Sequence, residues 1–344
     1  MAECSDYHRA YSDHPKLRYK SKQVNNSRHY LAENRPGWLL QVSDAGKTWA
    51  ADFETTDLID LLRSKGFVLL RGLKLDLAAF EAFTARFCDR FHAVGTRQPI
   101  TSGEGDTFSS EVPKSNFSLF AHSEGTYRPF PPPPDVCFFN CVKTPGSNGG
   151  ETMLVDGIEF LERIPAGLRE RFDRGGIIYQ ACWDTARWQT EFAVSGTDEL
   201  RALMAEHPEI ELRFIENAIE VRCKVPAIRQ SMGGAPAFAN GLLAHLPDIQ
   251  HPRWKGLNAY SRPTNRVFFG DGEEISPGII NQLIDIQDEI AMNHQWAEND
   301  LLVLDNARVM HGRRLSETAG ERVIRSRFGR IRRRYDQRQA QYAG

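Results

Sequence analysis

The chain has 344 residues, of which 41% are hydrophobic and 26% charged, an ordinary globular composition that excludes disordered, collagenous and low-complexity classes. Lys and Arg (43) nearly balance Asp and Glu (45), so no overall field recruits nucleic acid or anionic lipid. No apolar run reaches the roughly 18 residues of a membrane span and the first thirty residues lack a signal-peptide core, which predicts a cytoplasmic protein.

Residues 1–35 are polar and show neither helical nor strand periodicity, and are read as an N-terminal arm. The remainder, 36–344, is read as a single domain whose compact part begins near Trp38. Thr55–Lys65 has the apolar spacing of a short amphipathic helix, stopped by Gly66. A buried strand is predicted at Phe67–Leu70, and Asp76 is placed to cap a second helix carrying Phe80, Phe83, Phe87 and Phe91 as a core stripe.

From residue 92 to 155 dense Gly, Pro and Ser separate short apolar runs, Val136–Val142 and Thr152–Val155, as in antiparallel strands joined by long loops. Residues 157–260 read as a long, mostly helical and looped insertion. Strand character returns at Arg266–Phe269. Ser276 and Pro277 then open a helix that turns Ile279, Ile280, Leu283, Ile286 and Ile290 inward. Leu301–Leu304 and Val323–Ile331 supply the last strands. Strand-rich segments on both sides of an insertion predict a barrel or sandwich assembled from both halves of the chain.

The six cysteines contain no C-x-x-C pair and are expected as free thiols; Cys137 and Cys141, four apart on a strand, share one face as small buried hydrophobes. There is no G-x-S-x-G, P-loop, G-x-G-x-x-G, H-E-x-x-H or EF-hand loop. What remains is His122-Ser123-Glu124, an imidazole and a carboxylate two apart, hence on one side of a strand and able to share a cation. Ten histidines and an acid frequency of 45/344 yield about one H-x-[DE] by chance, and a second copy, His207-Pro208-Glu209, is present. That second copy sits at a helix end, holds a proline and has no companion motif, so it is taken as the chance event.

The first copy is followed by Gly149-Gly150-Glu151-Thr152 and, far downstream, by the segment DNARVMHGR (305–313) and an Arg-rich strand. From about Gly66 to Phe328 this ensemble resembles the Fe(II)- and 2-oxoglutarate-dependent dioxygenases of the taurine dioxygenase type, clavaminate synthase-like members included. The stretch NRVFFGDGEEI (265–275) and the following helix look most like the branch acting on amino acids or carrier-bound amino acids. The resemblance implies a mainly β fold with flanking helices, a double-stranded β-helix (jelly-roll) core carrying the long helical and looped insertion. It implies His122, Glu124 and His311 as iron ligands, with Fe(II), 2-oxoglutarate and O2 as the reacting set. Two neutral imidazoles and one carboxylate leave half an octahedron open for a bidentate 2-oxoacid and a gas molecule.

In the same family a Thr after the first metal motif and an Arg after the distal His hold the far carboxylate of 2-oxoglutarate, roles that fall to Thr152 and to Arg322 or Arg325. Alternation favours Arg322, which shares a face with Ile324, Ser326 and Phe328, while Arg325 and Arg327 are read as facing solvent. Retention of Glu124 argues against halogenation, since halogenating relatives carry a small residue there. The implied activity is C–H oxidation, with hydroxylation the default and desaturation or cyclisation the variants, on a small amine- or amino-acid-like substrate, free or on a carrier protein. Asn116, Phe117 and Tyr127 are candidate substrate contacts, and residues 157–260 the candidate lid. A zinc-dependent hydrolase or lyase on the same three ligands is the alternative; only the oxygenase needs Thr152 and a buried Arg for a dicarboxylate.

Overall fold

The strand Leu301–Asp305 is buried along its whole length, because alternate side chains enter two different cores. Leu301 and Val303 pack on one side with Leu58, Leu62, Phe80 and Phe83 of the helices Thr55–Lys65 and Leu77–Ala85. Leu302 and Leu304 pack on the other with Leu154, Val309 and Phe328. Around it, in a computed structural model that describes residues 28–30, 37–41, 55–92, 99–100, 107–114, 117–144, 149–247, 249, 251–254, 263–316 and 322–332, a large sheet is built. Its order is Arg28–Tyr30, Trp38–Gln41, Phe67–Arg71, Leu301–Asp305, Val136–Lys143, Val323–Ile331, Ser109–Glu111 and Pro99–Ile100, with Cys88–His92 also paired to Val323–Ile331. All pairs are antiparallel except Trp38–Gln41 with Phe67–Arg71.

A second, four-stranded antiparallel sheet runs Met292–His294, Thr152–Asp156, Val309–Arg313, Leu119–His122. The core between the two sheets takes Leu154, Met292 and Val309 from the small sheet and Phe139, Cys137, Cys141, Ile324 and Phe328 from the large one. The outer face of the small sheet is covered by the helix Pro277–Ile290, capped by Ser276, through Leu283, Ile284, Ile286 and Ile290. These are the two facing sheets of the expected jelly roll, and both halves of the chain contribute to each.

Three expectations change. The phenylalanine stripe is core, but its helix stops at Ala85; Phe91 sits on the following strand Cys88–His92. The insertion holds helices and also strands Ile177–Asp184, Ile210–Ile215 and Ala218–Val225, which with Arg266–Phe269 form a third antiparallel sheet. The alternation of buried and part-buried residues along Ile177–Trp183 is the period-2 signature of a half-covered strand. Arg327 does not face solvent: it is 1% exposed, stacked 3.8 Å from the Phe91 ring, with Nη1 donating to Ser109 Oγ, because strand Cys88–His92 and helix Leu77–Ala85 cover that face.

Cys88, Cys137, Cys141, Cys182 and Cys223 are free thiols, and Cys137 and Cys141 are both buried on Val136–Lys143. Cys4, Asn116 and most of the arm 1–35 lie outside the described residues. Among those described, no helix is long and apolar enough to cross a membrane.

Candidate active site

His122 closes the strand Leu119–His122 and lies directly across from His311 on Val309–Arg313, which pairs on its other edge with Thr152–Asp156. Backbone pairing therefore brings together residues 189 positions apart. Gly312 permits this approach, since a Cβ there would sit 2.5 Å from the Leu119 carbonyl oxygen. Glu124 follows in the turn after His122 and points its carboxylate between the two rings: Oε1 lies 3.6 Å from His122 Nε2 and 3.5 Å from His311 Nε2.

One donor atom from each of the three residues falls within 4.8 Å of the others, the only such His, Cys, Asp or Glu group among the described residues. Donor atoms bound at about 2.1 Å and at right angles stand ~3 Å apart, so a small inward rotation suffices to take a divalent cation. Nδ1 of His122 lies 3.1 Å from the Phe120 carbonyl; donating there leaves the Nε2 lone pair facing Glu124. Phe139 packs its ring 4.9 Å from His311.

Asn306 holds Glu124 in place. Its Oδ1 accepts from the Glu124 N–H at 2.8 Å, and its Nδ2 donates to the Glu124 carbonyl at 3.0 Å and the Pro134 carbonyl at 2.9 Å. This side chain is completely buried. The polyproline loop is thus tied to the turn that carries the carboxylate. Sequence reading used the segment 305–313 only for its histidine and missed this role.

The three residues open onto a cavity of about 390 Å³, whose wall also includes Thr152, Phe139, Trp296, Arg322 and Ile324. Thr152 Oγ1 accepts from Trp296 Nε1–H at 2.9 Å, so its own hydroxyl proton can be donated elsewhere. Arg322 is held at the wall by a 2.8 Å bond from Nη1 to the Gly150 carbonyl. Arg325 projects to the other side of the large sheet, where Nη1 reaches the Leu75 carbonyl. The remaining wall is drawn partly from the insertion: Arg187, Glu191, Ala244 and His245, with Tyr127, Asn265 and Arg313.

Of the substrate candidates, Tyr127 lines this cavity and donates to Glu191 at 2.8 Å. Phe117 is 52% exposed and meets the site only through its carbonyl, which accepts from Arg313. The second H-x-E copy makes a local pair, His207 Nδ1 to Glu209 Oε1 at 3.0 Å, beneath Phe130 and outside the cavity wall. Arg187, Glu191, His245 and Trp296 were not singled out in the sequence, because no local spacing connects them to the metal motif.

The sequence profile of the taurine catabolism dioxygenase TauD, TfdA family matches residues 45–327. A clavaminate synthase-like protein of Arabidopsis thaliana is 27% identical over 75% of this chain and 80% of its own length. The dapdiamide synthesis protein DdaC of Enterobacter agglomerans is 23% identical over 77% and 82%. In fold, the chain is similar to PvcB of Pseudomonas aeruginosa, with a TM-score of 0.55 and 16% identity over 93% of this chain and 96% of that one. PvcB is described as an Fe, alpha-ketoglutarate dependent oxygenase from an isonitrile synthetic pathway.

Proposed function

The chain belongs to the taurine catabolism dioxygenase TauD, TfdA family and is an Fe(II)- and 2-oxoglutarate-dependent dioxygenase, and from that premise we propose that His122, Glu124 and His311 hold the iron and that Thr152 and Arg322 anchor 2-oxoglutarate. The observation that carries this reading is the convergence of the three donor atoms at the wall of a cavity that also holds a hydroxyl and a guanidinium suited to a carboxylate. The iron supplies O2 activation coupled to oxidative decarboxylation of 2-oxoglutarate, giving succinate, CO2 and an oxidised substrate C–H bond.

The residues of the chain prepare that chemistry. His122, Glu124 and His311 would hold the cation from the sheet side, and the cavity they open onto would admit the small ligands. The Phe120 carbonyl fixes the His122 tautomer, and Asn306 fixes the turn of Glu124. Trp296 orients the Thr152 hydroxyl so that its proton serves the distal carboxylate, to which Arg322 adds a charged partner. Phe139 and Ile324 close the wall with apolar surface that keeps water from the reacting centre.

The substrate is a small amine- or amino-acid-like molecule, and the default outcome is hydroxylation. The names of the relatives support this class: dapdiamide synthesis and an isonitrile pathway both concern small nitrogen-containing molecules. The chain keeps the carboxylate at Glu124, which leaves no vacancy for a halide.

The test is spectroscopic. Anaerobic addition of Fe(II) and 2-oxoglutarate should produce the weak visible charge-transfer absorption of the chelate. His122→Ala should abolish that absorption and substrate-linked succinate formation, while His207→Ala should leave both intact. Equal behaviour of the two variants, or a colourless wild-type mixture, would overturn the assignment.

A further inference from the structure

The cavity wall beyond the metal triad contains a guanidinium whose one acidic neighbour is shared with a second arginine. Arg187, on the helix Thr185–Phe192 of the insertion, lines the cavity, and its side chain makes no hydrogen bond to any described residue. Glu191 is one turn further along the same helix, but its Oε1 is 3.7 Å from Arg187 Nε, beyond hydrogen-bond distance. That carboxylate is engaged elsewhere. Its Oε2 accepts from the Tyr127 hydroxyl at 2.8 Å and pairs with Arg128 Nε at 3.1 Å, and Arg128 is anchored further by donating to the Glu191 carbonyl. Two arginines thus share a single buried acid. The Arg187 guanidinium is steadied instead by the Trp183 ring, 5.2 Å from its centroid.

Charge balance separates the two ends of the cavity. A ferrous ion with Glu124, Arg322 and the 2-oxoglutarate dianion is neutral as a set. The insertion side keeps one positive charge in excess after Glu191 is paired with Arg128. Burial first, and then the neighbouring Arg187 and His122, push His245 down to about 3, so that ring adds no charge. Arg313, bound to the Phe117 and Pro113 carbonyls, deepens the positive potential.

We infer that Arg187 binds the carboxylate of the substrate, and that this substrate is a free monoanionic acid whose nitrogen carries no positive charge, as in an N-acylated amino acid. The inference rests on the functional reading above and narrows its substrate class. A zwitterionic amino acid would bring an ammonium group to an insertion-side wall whose one carboxylate, Glu191, is already neutralised. An aminoacyl thioester on a carrier protein would bring no carboxylate for Arg187. Fixing the acid group on the insertion side also fixes which part of the molecule reaches the metal side, so Arg187 acts in regiochemistry as well as affinity.

The experiment is calorimetric titration of the anaerobic Fe(II)- and 2-oxoglutarate-loaded enzyme with N-acetyl-L-phenylalanine and N-acetyl-L-leucine, their primary amides, and the two free amino acids. At least one N-acetyl acid should bind 10- to 100-fold more tightly than both its amide and its parent amino acid. Arg187→Met should erase that preference and Arg187→Lys should keep part of it, with the chelate absorption unchanged in both. If neither acid binds more tightly than its amide, or if Arg187→Met keeps the preference, the inference is wrong while the chelate band leaves the functional reading standing. Tighter binding of the parent amino acid would equally overturn it. Loss of the band in the wild type would instead bring down the functional reading.

Discussion

Asn306 shows how a single residue can set a site without facing it. Its amide uses both donors and its acceptor inside the protein, two of the three bonds going to the backbone of Glu124. Asn306→Ala would leave a buried N–H and two buried carbonyls without this partner, a cost of about 1–3 kcal/mol for an orphaned group. It would also free the turn that presents the Glu124 carboxylate. We expect Asn306→Ala to lower Fe(II) affinity ~10- to 100-fold, the usual effect of losing a partner behind a metal ligand, with a modest fall in the urea midpoint. Equilibrium dialysis against Fe(II) under anaerobic conditions measures the first quantity. Unchanged affinity in a destabilised protein would reduce Asn306 to a purely structural tie.

At the scale of one element, the strand Val323–Ile331 places two arginines on opposite sides of the large sheet. Arg322, just before it, lies at the cavity wall near Thr152, and Arg325 reaches toward Leu75 behind the sheet. Arg322→Met should therefore raise the KM for 2-oxoglutarate at least ~10-fold through loss of a charge-assisted pair, and Arg325→Met should change it less than about twofold. Steady-state kinetics with varied 2-oxoglutarate decide the matter, and the reverse order of effects would move the anchor to Arg325. Alternation made this face legible in the sequence, because Ile324, Ser326 and Phe328 are all buried. The helix Thr55–Lys65, the Asp76 and Ser276 caps and the strands at 136, 301 and 323 were legible for similar local reasons. The burial of Arg327 was not, since the cover on its face comes from Phe91 and Glu81, far away in the chain. The third sheet was passed over because its strands alternate with helices and its polar positions, such as Gln180 and Arg222, resemble loop composition. His122, Glu124, Thr152 and His311, which share one cavity wall, were legible as short motifs that together resemble a known family, not from spacing alone. Arg187 and Trp296 are brought to them only by tertiary packing.

For the whole molecule, packing of the sheets and the insertion buries histidines that would titrate freely in an unfolded chain. Burial lowers His92 to about 4 and His245 to about 3, and it also lowers His294 despite the neighbouring Asp300. Each of these rings contributes stability that is fully present above the ordinary histidine value near 6.5 and is lost as pH falls toward the folded-state value, because the unfolded chain takes up the proton first. Asp305 works in the opposite sense. Burial raises it to about 6, so its contribution is complete below the ordinary aspartate value near 3.8 and disappears as pH rises through 6. Between pH 6.5 and 4 His92 and His245, with His294 acting in the same direction, oppose one aspartate, and net proton uptake on unfolding should lower stability with acidification. In metal-stripped protein, where release of a bound cation cannot contribute, the urea midpoint should be lower at pH 5 than at pH 7.5. His245→Gln should narrow that difference, whereas Asp305→Asn, which removes the opposing group, should widen it. A midpoint that holds constant or rises on acidification would mean that the rings are hydrated in the native state, and that the cavity wall is open to water on the side where His245 stands.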